Sequence, residues 1–322
     1  EALCLSMEST PSHPGRSAAA AKDPLSECRE SLASLLCIDD PRRIALTPGA
    51  TYALNVAILG SSLKRGDTVI TTVTEHNSVL RPLAHLRDRE GINVVTIGLD
   101  PAGNIDSAAF QKAMSHRPRL VVVNHVSNVT GRTNDVGLLF AVAKQAGAVT
   151  LLDASQSLGR IAVHPCEIGA DMVAFTGHKA LRGPEGTGGL YVTPELELEQ
   201  IFVGGTGVRS ELEMHPPEMP MRLEAGTHNL PAFAGLAAAL RWLRDNVEDF
   251  NNDIRGRERD LKTGLADIPG IRLYSGSSET DAGTGIVSFS LDAWDVEDAG
   301  CILGESRSEE HTSELQSHAC IS

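Results

Sequence analysis

DMVAFTGHKALRGPEGTGGLYVT, residues 171–193, opens on the apolar run DMVAFTG, passes through a turn rich in Gly and Pro, and closes on GGLYVT. The spacing predicts two strands joined by a loop that carries Lys179 immediately after the first. Upstream, further β-branched runs recur: RIAL at 43–46, DTVITT at 67–72, INVVTIGL at 92–99, RLVVVNHV at 119–126 and AVTLLDAS at 148–155. Helical patterns separate them. Strands spaced by helices of this length predict an α/β domain on a mainly parallel sheet, whose ligands gather where strands end and loops begin.

Downstream, LPAFAGLAAALRWLRDNVEDF from about residue 230 and NNDIRGRERDLKTGLADI read as two amphipathic helices, with a domain boundary near 246. IRLYSG and GIVSFSLD then predict two strands of a small α+β domain. The expected division is an N-terminal segment at 1–17, a large domain at 18–246, a small domain at 247–304 and a tail at 305–322. Within the tail, RSEEHTSELQSH at 307–318 has no apolar period and is similar to the translation of a sequencing-library adapter. It is set aside, and residues 307–322 are expected to pack against nothing. The opening EALCLSMEST lacks an initiator Met, and the chain is expected to be a fragment. Asp23-Pro24 sits oddly in an Ala-rich helical pattern, where Pro is expected to kink or break the helix.

The 322 residues are 41% apolar, enough for a large core, and the formal charge is -14. From Glu305 onward four glutamates oppose Arg307, so the body without the tail carries -11. A nucleic acid or an anionic membrane needs concentrated Lys and Arg, so neither is an expected partner. With no long apolar segment and no basic-then-apolar leader, the expectation is a cytoplasmic protein. Six cysteines without a CxxC pair or zinc-ligand spacing predict reduced thiols and no metal site; Cys301 reads as a core thiol on a helix.

A lysine shielded from water is an amine nucleophile toward an aldehyde, but a lone lysine after a strand is ordinarily a solvated surface residue. Its company changes that reading. LLDASQS ends a strand with Asp153 and Gln156; a carboxylate there can keep a pyridine nitrogen protonated, and it can equally cap a following helix. TPGAT at 47–51 leads into a helix running to about Leu63, where backbone N–H groups and the Thr51 hydroxyl could meet a phosphate. TEHNSVLRP puts His76 at a strand end, where imidazole could stack on an aromatic ring, and NHVSNVTG supplies Asn128 similarly.

In this order and spacing, TPGAT, EHNS, HVSNVTG, DASQS, TGHK and EAGTHN resemble the cysteine desulfurase branch of the class V aminotransferases. The resemblance runs from HPGRS at residue 13 to Leu303. It implies a fold type I enzyme using pyridoxal 5'-phosphate (PLP), carried covalently by Lys179. Asp153 would contact the pyridinium nitrogen, and Gln156 and Asn128 the phenolic oxygen and substrate carboxylate. His76 would stack on the ring and assist proton transfer, and Ala50, Thr51, Thr176 and His178 would hold the phosphate. Thr227 would reach the neighbouring subunit's phosphate, which implies a homodimer. The implied reaction takes L-cysteine to L-alanine, with sulfur passing to an enzyme cysteine and on to an acceptor protein. That cysteine and a carboxylate-binding arginine belong beyond the adapter-like junction, so this chain is expected to be inactive as a desulfurase. The alternatives are another class V reaction (selenocysteine lyase, aminotransferase, epimerase) or a non-catalytic scaffold of the same fold. Lys179, Asp153, Gln156, His76 and Thr51 are expected to converge on one cavity.

Overall fold

The computed structural model describes residues 23–209, 211, 213–276, 283–292 and 294–305. The segment 1–17, most of the adapter-like tail, Cys4 and Cys320 lie outside them. The nine strands foreseen all form. They are β1 (Ile44–Thr47), β2 (Thr68–Thr72), β3 (Asn93–Ile97), β4 (Leu120–Asn124), β5 (Val149–Asp153), β6 (Met172–Thr176) and β7 (Gly188–Val192), with β8 (Ile271–Leu273) and β9 (Phe289–Leu291) apart. The first seven make one sheet in the order β1-β7-β6-β5-β4-β2-β3. Pairs among β2 to β6 are parallel, and β7 runs antiparallel to both β6 and β1. β8 and β9 form a separate antiparallel pair.

The long apolar runs follow from burial on both faces. Ile70, Val121, Val123, Leu152 and Phe175 point to one side, among α1 (Pro24–Leu36), α4 (Ser107–Ala113), α5 (Val136–Gln145) and the first half of α7 (Leu230–Ala266). Val69, Leu120, Val122, Leu151 and Met172 point to the other, against α2 (Ala50–Leu59) and α3 (Asn77–Glu90). The short α6 (Pro165–Ile168) joins β5 to β6. Each fully buried Leu or Phe here contributes about 1.5–3 kcal/mol.

Because α3 lies on one face and α4 and α5 on the other, the winding of the sheet reverses between β2 and β4. The ladder records it. β2 pairs with β3 through Thr72–Ile97 and β4 with β5 through Asn124–Asp153, but β2 and β4 pair only at Val69–Leu120 and Ile70–Val121. Past Ile70 the two strands part. Such a reversal is where open α/β sheets form a ligand crevice at their C-terminal edge.

Asp23-Pro24 starts a helix, with Asp23 Oδ2 accepting the Ser26 N–H at 3.1 Å and Pro24 in the first turn, where its missing N–H costs nothing; the Ala-rich stretch before it lies outside the described residues. Two expectations change. The two helices expected around residue 246 are one continuous 37-residue helix, α7. Its first half buries Phe233, Leu236, Leu240 and Leu243, and the charged second half continues without a break because nothing in it interrupts the backbone hydrogen bonding. The helix after TPGAT stops at Leu59, with Gly60 as its C-cap. Among the described residues no helix is long and apolar enough to cross a membrane.

Candidate active site

At the start of α2 the capping residue is Gly49, which has no side chain to accept the first-turn N–H groups. β7 passes directly beneath: a Cβ at Gly188 would stand 2.7 Å from the Gly49 Cα, so only glycine permits this approach. A Cβ at Gly49 would lie 3.8 Å from Thr176 Oγ1, and Thr176 Oγ1 is 3.0 Å from His178 Nδ1. Ala50, Thr51, Thr176 and His178 thus surround the open N-terminus of a ten-residue helix, a ready anion site. Desolvation, with the Lys179 charge beside it, holds the His178 imidazole below its ordinary value. A neutral ring then remains a hydrogen-bonding partner near neutral pH.

Lys179 is half-buried in the turn after β6, where Arg182 N–H donates to the Lys179 carbonyl at 3.0 Å. Asp153 ends the neighbouring β5, paired in register with Ala174 of β6, and is 5% exposed. No helix follows it. Ser155 gives Asp153 Oδ1 both its N–H, at 2.9 Å, and its hydroxyl, closing a turn and leaving Oδ2 for another donor. Gln156 lies half-buried in that turn. Asn128 is half-buried in the turn after β4, shaped by Ser127 Oγ, which accepts the Val129 and Thr130 N–H groups at 3.2 Å. The C-terminal part braces both turns: Thr284 Oγ1 donates to Gly131 O at 3.1 Å, and Arg160 donates to Thr284 O.

His76 is the N-cap of α3, its Nδ1 accepting the Ser78 N–H at 3.1 Å, so the neutral ring carries its proton on Nε2. Ser78 Oγ lies 2.8 Å from His76 Nδ1 and 2.7 Å from Thr51 Oγ1, tying the two together. A cleft of about 550 Å³ is lined here by Thr51, Asn55, His76, Ser78, Arg81 and His85, among others. Lys179, Asp153 and Gln156 are not on its wall, so the single cavity expected for all five residues is not formed as such. They lie instead at the ends of the adjacent strands β5 and β6: Asp153 ends β5 opposite Ala174, and β6 runs two residues further to Thr176 before the Lys179 turn.

Sequence reading passed over Glu75, although it precedes His76. It is 4% exposed, and its Oε1 accepts from Thr72 Oγ1 at 2.7 Å and from the Asn124 N–H at 3.0 Å. Burial, with a smaller contribution from Asp153, pushes its carboxyl up to about 8. A Glu at the end of an apolar strand was the available signal. Thr227 is exposed on a loop whose Glu224 is anchored to β1. Cys301 is exposed rather than a core thiol, since α8 (Val296–Glu305) is largely uncovered and leaves Val296 and Ile302 in solvent as well.

Residues 7–311 match the aminotransferase class-V family. The chain belongs to that family. Class V relatives include a probable cysteine desulfurase of Methanothermobacter thermautotrophicus, 33% identical over 286 residues that span 87% of this chain and 70% of the relative. The Escherichia coli cysteine desulfurase CsdA superposes with a TM-score of 0.84 at 26% identity, over 94% of this chain and 79% of that one. A C-DES variant with glycine covalently linked to its PLP cofactor matches at 27% identity and a TM-score of 0.77, over 88% of this chain and 76% of that one. This member of the class V family therefore has the fold type I architecture, a mainly parallel sheet between two helical layers.

Proposed function

We propose that this chain is the PLP-binding part of an enzyme of the cysteine desulfurase type, whose whole reaction takes L-cysteine to L-alanine. The observation that carries the reading is the arrangement of Lys179 and Asp153 at the ends of adjacent strands, next to the uncapped α2 N-terminus ringed by Thr176 and His178. PLP matches that donor set: open N–H groups and hydroxyls for its phosphate, an amine for its aldehyde and a buried carboxylate for its ring nitrogen. When bound, it supplies a carbonyl carbon for amines and a ring that accepts electrons from the substrate Cα.

The chain's own residues then have separable tasks. Lys179 Nζ holds the cofactor and, once released, carries the Cα proton. Asp153 Oδ2 keeps a proton on the facing nitrogen. His76, its Nδ1 occupied by Ser78, presents Nε2–H as a donor from the rim. Asn128 and Gln156 orient the substrate from the two turns, and the Ala50 and Thr51 N–H groups, the Thr51 and Thr176 hydroxyls and the His178 imidazole hydrogen-bond the phosphate. In the whole reaction a cysteine thiolate would take the substrate sulfur, forming an S–S bond as the Cβ–S bond breaks, with the electron pair and a proton left on carbon to give L-alanine; none of the described cysteines is assigned that role, and the persulfide's outer sulfur would pass to an acceptor protein. The described cysteines Cys28, Cys37, Cys166 and Cys301 are free.

Loaded with PLP and passed through gel filtration, the protein is expected to retain the cofactor's visible absorbance and to change it at lower L-cysteine than L-alanine or L-aspartate concentrations. Loss of the cofactor on the column, or one response to all three amino acids, would overturn the assignment.

The exposed Thr227 loop completes the phosphate site of a second copy, which makes the unit a homodimer. Sedimentation should show the dimer, and Thr227→Ala should weaken PLP binding by about tenfold, one charge-assisted hydrogen bond, without dissociating it. A monomer with undiminished PLP affinity refutes the shared site.

A further inference from the structure

Where β2 and β4 part, a backbone donor loses its strand partner. The Asn124 N–H faces the gap beyond the last β2–β4 pair, Ile70–Val121, and Glu75 Oε1 reaches back from the turn after β2 to accept it at 3.0 Å. The same oxygen takes the Thr72 hydroxyl at 2.7 Å. The Asn124 side chain completes the tie, its Nδ2 donating to Thr74 O while its Oδ1 accepts from Asn134 Nδ2 at 2.7 Å. Two residues of this latch adjoin proposed site residues: Glu75 precedes His76, and Asn124 pairs in register with Asp153.

Glu75 Oε2 is buried with no hydrogen-bond partner, and no ion pair reaches Glu75 among the described residues. The titratable group whose charge reaches it is Asp153 from β5; His125, which follows Asn124, has its imidazole pushed down to about 4 by burial and brings no charge to the crevice. A buried carboxylate with an orphan oxygen and a second carboxylate nearby has nothing to offset its desolvation; the protonated acid does not carry that cost.

We propose that Glu75, as a neutral carboxylic acid, is a positioning residue of the crevice: it latches the parted ends of β2 and β4 without adding a charge beside Asp153. Its effect on catalysis rests on the proposed function, whereas the latch itself does not. Protonation in the folded state and ionisation in the unfolded state mean that stability falls as pH rises from the ordinary Glu value, near 4.5, to about 8, and is level above that.

The test uses the whole chain, first without cofactor. Between pH 5.5 and 7.5 the unfolding constant of the wild type should rise about tenfold per pH unit more steeply than that of Glu75→Gln, the slope of one proton. Gln keeps the acceptor for Asn124 and cannot ionise, so at pH 7 it should bind PLP within about threefold of wild type. Glu75→Ala orphans the Asn124 N–H and should bind PLP at least tenfold more weakly. Equal pH slopes in wild type and Glu75→Gln overturn the proposal, as does wild-type PLP affinity in Glu75→Ala. If Glu75→Ala does not fold, the slope comparison alone decides. Failure of the wild type to bind PLP counts against the proposed function, while the cofactor-free slopes still decide the latch.

Discussion

In Lys179→Ala, exchange of an amino acid's Cα proton with deuterated solvent is expected to fall by about a thousandfold in the PLP-loaded protein, as for removal of a positioned general base. The fold should survive. Lys179 is half-buried in a turn, and its only described backbone bond, from Arg182 N–H to its carbonyl, does not involve the side chain. Proton exchange needs no sulfur acceptor, so the measurement isolates the lysine from whatever cysteine receives sulfur. NMR of the Cα signal in deuterium oxide gives the rate. Retention of a tenth of the wild-type rate in a folded, cofactor-loaded variant would assign the proton transfer elsewhere, with His76 next to be tested.

The second large effect is on stability. Glu224 accepts the Leu46 N–H at 2.6 Å, both Arg29 Nη2 contacts at 2.6 and 2.7 Å, and lies 2.9 Å from His228 Nε2. The Arg29 and Glu224 side chains are only 11% and 7% exposed. Glu224→Ala therefore strands a buried guanidinium and an edge-strand N–H together, at a cost of about 3–5 kcal/mol. Urea denaturation should show this as a lower midpoint at an unchanged slope. Glu224→Gln, which keeps an acceptor for Leu46, should lose less. A loss below about 1 kcal/mol in Glu224→Ala would mean that the cluster is held by its surroundings and not by this carboxylate. Because Thr227 follows three residues later, the same variant should also loosen the loop proposed to serve the second subunit.

How much could be read in advance differs from element to element. VITT, LVVVN and TLLD announced themselves because a sheet covered on both faces demands unbroken apolar runs, and such runs mean little else at that length. Asp23 and Pro24 together are a helix-start signal, a capping carboxylate followed by a proline in the first turn, and the helix does begin there. NNDIRGRERDLKTGLADI reads as a second amphipathic helix after a boundary near 246 because its composition turns from apolar to charged there. Helix continuity depends on backbone bonding and on the absence of a breaker, and neither requires an apolar face. Cys301 was assigned to a core by its apolar neighbours, yet what buries a helix face is another element, and among the described residues α8 has little over it.

The candidate site divides in the same way. Lys179, Asp153, Gln156, His76, Asn128 and the TPGAT turn could be picked out because each stands at the end of a run whose type and length the sequence declares. Chemistry then restricts which residue types are useful at those ends. By itself the sequence determined the strands, the family resemblance and the residues to examine, since local composition specifies local structure and strand ends are local. Tertiary structure alone decided that β2 and β4 part after Ile70, that Glu75 fills the gap as a buried acid, that Ser78 joins His76 to Thr51, and that Glu224 clamps the edge strand. Each of those depends on which strand lies beside which and where a ladder stops. That is set by packing between segments far apart in the chain, and the run of residues on either side carries no record of it.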